Sequence, residues 1–128
     1  MILVPFLLWR FFFLVLAVNY GMTVQTILAG EFDHTGLPAA MTTMEAVANG
    51  VEAFGWLLVF VLSWTGRRQG AARIAVFLAG LLFFDVITTF VLPMPLPPYF
   101  LAWGTALVGV ELLGARALYR EVQHEPVA

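Results

Sequence analysis

The chain has 128 residues and a formal net charge of −2; 62% of it is hydrophobic and only 11% charged. That balance excludes an ordinary soluble domain, in which roughly a quarter of residues are charged. It also excludes a nucleic-acid partner, because no basic run is present. With no cysteine, disulfides, thiolate metal sites and thiol nucleophiles are excluded as well.

A helix needs about 20 mostly apolar residues to cross the hydrocarbon of a bilayer. Four stretches meet that length, at about 6–28, 39–64, 72–92 and 98–118. The fold class expected is therefore all-α: a polytopic membrane protein forming a four-helix transmembrane bundle, with residues 1–128 as a single transmembrane domain. The breaks carry turn chemistry. Residues 31–38 (EFDHTGLP) form a polar loop, 66–70 (GRRQG) a short charged turn, and 93–98 (PMPLPP) a proline run that cannot continue a helix. Pro98 suits the first position of the fourth helix. The first span does not read as a cleaved leader, since nine residues precede Arg10 and the apolar stretch is too long.

All six basic residues, Arg10, Arg67, Arg68, Arg73, Arg116 and Arg120, fall at one end of such a bundle, while Glu31, Asp33 and His34 fall at the other. The positive-inside rule then predicts a multi-pass cell-membrane protein with both termini in the cytoplasm.

Polar residues recur inside the spans. At 100° per residue, Glu45, Asn49, Glu52, Trp56 and Ser63 share an arc of about 60° on the second span. Asn19, Thr23 and Thr26 form an arc on the first, Asp85 and Thr89 lie one turn apart on the third, and Glu111 sits inside the fourth. A rise of 1.5 Å per residue puts Glu52 and Glu111 roughly 18 Å deep, and Asp85, Asn19 and Asn49 some 10–13 Å deep. A mid-membrane carboxylate costs at least ~2.5–3.5 kcal/mol, so such residues mark function by default. Glu52, Glu111 and Asp85 are accordingly the candidate catalytic residues. Trp56, Asn49, Asn19 and Glu45 are the candidate substrate-binding residues, Trp56 by cation–π contact. Each has a plainer reading. Asn19 and Asn49 can bond between helices, Trp56 can be core, and Thr42-Thr43-Met44-Glu45 matches a capping box that would make Glu45 a helix-start residue.

Residues 50–55 and 109–114 share the pattern G-V-E-x-x-G. Spans 1–2 and 3–4 thus read as parallel copies of one hairpin about an axis along the membrane normal, with Glu52 and Glu111 as equivalent positions. Two carboxyls meeting there would share one proton, giving an acid and a base in one site.

No metal site or cofactor is expected: the spacing of Glu31, Asp33 and His34 matches no ligand motif, His124 lies in a short polar tail, and no span offers a His or Cys to haem. The partners expected are the lipid bilayer and an apolar small molecule, and a homo-oligomer is compatible with this chain length. Three functions fit. The leading one is an intramembrane acid–base enzyme for an apolar, lipid-like or isoprenoid-type substrate, catalysing isomerisation, cyclisation or epoxide opening without a redox cofactor. The alternatives are a proton-coupled exporter of small organic cations and an accessory or assembly subunit of a membrane complex.

Overall fold

The computed structural model describes residues 6–30, 39–91 and 98–123. They form four α-helices: α1 (Phe6–Leu28), α2 (Ala39–Trp64), α3 (Arg68–Val91) and α4 (Pro98–Gln123). Each contains a window long and apolar enough to cross a membrane, and the fold is an all-α four-helix bundle. The 31–38 loop with Glu31, Asp33 and His34, the prolines of 93–97, and His124 lie outside the described residues.

The first two spans have the boundaries expected. The third starts four residues sooner than its apolar stretch. Gly66 ends the second helix in the left-handed region, at φ 81°, and Arg67 N–H bonds back to Leu62 C=O at 3.2 Å. This six-residue closure spends the turn's backbone groups at once, so α3 can begin at Arg68. The fourth helix runs five residues beyond its apolar stretch because a hydrogen-bond ladder does not end where hydropathy does. A second correction concerns the capping box. Helix α2 begins at Ala39, three residues before Thr42, so Thr42 and Glu45 lie inside the helix and Glu45 caps nothing.

Helix α1 packs chiefly on α2 and α3 chiefly on α4; α2 and α3 join the two hairpins, and α1 and α4 make a slighter contact. The outward faces are apolar, with Phe11, Val15, Phe54, Phe77, Phe84 and Phe90 all exposed. In water such a surface would drive association; in lipid it is solvated. The half of the bundle nearer the arginines is solid. Phe13 stacks on Trp56 at 5.7 Å between ring centroids and 19° between planes, and Val59, Leu78 and Leu118 complete a core from which solvent is absent. Ala71, Ala72, Ala75 and Ala79 are buried on α3, small residues of the kind that let membrane helices approach closely.

Two glycines in equivalent places of the G-V-E-x-x-G segments have the same role. A Cβ on Gly55 would meet Leu78 Cδ2 at 2.6 Å, and one on Gly114 would meet Phe13 Cε1 at 3.1 Å. Each lets a helix of one hairpin approach a helix of the other. The leading glycines, Gly50 and Gly109, both face open space.

The end that carries the arginines is closed by side chains. Arg10 sits over the rings of Phe6 and Trp64, 4.9 and 4.6 Å from their centroids, and Arg68 pairs with Glu121 at 3.3 Å. These contacts tie the start of α1 to the end of α2, and the start of α3 to the end of α4.

Candidate functional site

The polar residues of the spans assemble at two levels. The deeper level is a pair of carboxyls, Glu52 on α2 and Glu111 on α4, bridged by one donor. Both side chains are buried, Glu111 completely and Glu52 to within 3%. The Trp56 indole N–H is aimed between them, 2.9 Å from Glu52 Oε2 and 3.1 Å from Glu111 Oε1. Trp56 reaches Glu52 because the two are four residues apart on one helix face. From α1, the Tyr20 hydroxyl donates to Glu111 Oε2. Glu111 is thus the acceptor for donors from two other helices. Glu52 Oε1 is left buried without a partner among the described residues.

The second level lies one layer nearer the end opposite the arginines, around a cavity of about 400 Å³ to which all four helices contribute. Glu45 of α2 and Asp85 of α3 are both on its wall, near enough to each other to interact. Asn19, Asn49, Thr23, Thr26, Thr42 and Thr89 join them, and the rest of the lining is apolar, including Met22, Leu82, Leu101 and Leu107. Tyr20 belongs to both levels: it lines the cavity, and its hydroxyl reaches Glu111 behind it. Past Tyr20, Leu82 and Leu107 the space ends in the solid core built on Phe13, Trp56 and Leu78. The described cavity is therefore blind toward the arginines.

The catalytic constellation expected from sequence is divided by this arrangement. Glu52 and Glu111 come together, but neither lines the cavity. Asp85 does line it, and its carboxyl partner is Glu45, which spacing alone had marked as a possible cap. Asn19 and Asn49 both face the cavity, whereas Trp56 does not: its ring is packed on Phe13 and its N–H is committed to the carboxyl pair. Trp56 therefore cannot shelter a charge held in the cavity of this conformation. Tyr20 is not among the residues singled out from sequence, since a tyrosine in a membrane protein usually sits at the interface. The signal was there: it lies eight residues inside the end of α1, about 12 Å along the axis at 1.5 Å per residue, too deep for a belt.

No family model, curated protein or solved structure matches the chain.

Proposed function

We propose that the protein is an intramembrane acid–base enzyme for an apolar, lipid-like substrate, with Glu45 and Asp85 as the reacting pair. The observation that carries this reading is a carboxyl pair on the wall of a mainly apolar cavity at membrane depth, closed on the side of the arginines. In that pair the protonated carboxyl gives its proton to an alkene or epoxide, and the ionised one removes a proton elsewhere on the same molecule. The result is a redox-neutral isomerisation, cyclisation or ring opening. A cationic intermediate would form beside a carboxylate in low dielectric, where the attraction is far stronger than in water. The cavity supplies orientation and exclusion of water. The sealed Glu52–Glu111 pair, joined to the cavity by Tyr20, supports the reacting pair from behind and holds α1, α2 and α4 in register.

An exporter of organic cations needs a cavity able to open toward both membrane faces. The half of the bundle beyond Tyr20 is filled by Phe13, Trp56, Leu78 and Leu118, all at most 1% exposed, which favours the enzyme. The parallel roles of Gly55 and Gly114 support descent of the two hairpins from one copy.

The test compares lipid extracts from cells expressing the wild type, Glu45→Gln or Asp85→Asn. A product present with the wild type should fall 10²–10⁴-fold in either variant, the usual worth of a general acid or base. Lipid profiles identical with and without the protein would remove the enzymatic reading in favour of a carrier or an accessory subunit. For orientation we propose that the arginine-bearing end is cytoplasmic. A cytoplasm-only reporter fused after Ala128 should be active and one inserted in 31–37 silent, and the reverse result would invert the topology.

A further inference from the structure

The polar wall of the cavity is one-sided in its hydrogen bonding. Thr23 Oγ1 donates to Asn19 C=O at 3.1 Å, Thr26 Oγ1 to Met22 C=O at 2.9 Å and Thr89 Oγ1 to Asp85 C=O at 2.9 Å. Asn49 Nδ2 donates to Glu45 C=O at 2.7 Å, and the Tyr20 hydroxyl is given to Glu111. Threonine in a membrane helix commonly bonds its own backbone in this way. The consequence here is that each hydroxyl has given its single donor to the protein and keeps only lone pairs for a ligand. Two carboxyls add acceptors, and no Arg, Lys or His is among the described residues that line the space. Among the described residues, the Asn19 amide, the second N–H of Asn49 and the Trp103 indole at the rim keep donors.

A ligand entering such a site must bring donors and is favoured if it brings positive charge. An anionic or purely acceptor head group would lose its hydration and recover little. The remaining wall is aliphatic and suits a hydrocarbon body, and the volume is that of an ordinary small-molecule pocket.

We infer that the cavity recognises an ammonium group carried on an apolar body, as in a primary or secondary long-chain amine. The inference rests on the cavity being the ligand site, as in the proposed function, and it names the chemistry that fits there. An ammonium also occupies the position that a transient cationic intermediate would take, so a saturated amine should bind without reacting. Its N–H groups reach the Glu45–Asp85 pair and the threonine oxygens, and its chain lies against Leu82, Leu101 and Leu107.

The experiment uses four probes with the same twelve-carbon chain: dodecylamine, dodecyltrimethylammonium, dodecanol and dodecanoate. Each is equilibrated with the purified protein in zwitterionic nanodiscs at neutral pH, and retention per chain is read by native mass spectrometry. Dodecylamine should be retained at one site per chain at least about tenfold more tightly than any of the others, or about 1.4 kcal/mol. The quaternary ion carries the charge without a donor, so equal retention of it overturns the inference. Equal retention of dodecanol or dodecanoate overturns it too. In the Glu45→Gln/Asp85→Asn double variant the amine preference should disappear; its persistence would place the amine elsewhere. The wild-type series decides the matter even if that variant folds poorly. Amine selectivity with no new lipid product leaves this inference standing and removes the enzyme. A product formed without amine selectivity does the reverse.

Discussion

Glu52 and Glu111 meet where every neighbouring atom is protein, whereas Glu45 and Asp85 meet at the edge of a space large enough for a ligand. Both are pairs of carboxyls, and α2 contributes one member to each. The deeper pair receives donors from Trp56 and Tyr20, side chains that are themselves buried and packed. Around the shallower pair, Thr23, Thr26, Thr89 and one N–H of Asn49 have given their donors to the backbone. The difference teaches what residue type alone does not: an intramembrane acid is structural or reactive according to who satisfies it. Where the protein supplies the donors, the carboxyl is part of the frame. Where the protein withholds them, the carboxyl waits for something else.

The largest effect that can break this comparison is on stability. Glu111→Leu strands the Tyr20 hydroxyl and leaves Glu52 without its carboxyl partner. At about 1–3 kcal/mol for each buried polar group left unsatisfied, the loss should be roughly 2–5 kcal/mol. Asp85→Leu should cost less than about 1 kcal/mol, because Glu45 borders the cavity and can take a water in place of its partner. Unfolding curves in mixed micelles would measure both, and equal losses would show that the two pairs do not differ in kind.

A smaller effect sharpens the same contrast. Tyr20→Phe removes one hydroxyl, keeps the ring that forms the cavity wall, and should cost about 1.5 kcal/mol, the lower value for a hydrogen bond to a carboxylate. The same unfolding assay checks it. Unchanged stability would mean that the hydroxyl belongs to the cavity and not to the sealed pair.

Much of this was legible in the residues. Length and apolarity located four helices, since lipid-facing surface leaves a plain mark on composition. The depth calculation already separated Glu52 and Glu111 from Asp85, Asn19 and Asn49, because rise per residue is constant along a helix. The meeting of Glu52 and Glu111 was legible through the G-V-E-x-x-G repeat, but the pairing of Glu45 with Asp85 was not. Pairing depends on how far each helix is rotated about its axis, and apolar residues all round a helix leave that rotation open. Glu45 shows the difficulty most clearly. Its local pattern fits a cap, and only the position of Ala39 at the start of α2 rules that out. Tyr20 is the converse case: its chemistry suits a membrane interface, and its depth overrides that preference.

Glu45 and Glu52 are seven residues apart on α2, two full turns and about 10 Å along one face. One pair is closed by α3 and the other by α4, so α2 engages the second hairpin through two bolts set in a single line. A twist of α2 about its own axis would withdraw both together, while a bend between them would release one and leave the other home. The bundle thus resists torsion of this helix at two heights but flexure at neither. A tilt of the first two turns of α2 would shift Glu45 without unseating Glu52, while the helix stays held where Trp56 is stacked on Phe13.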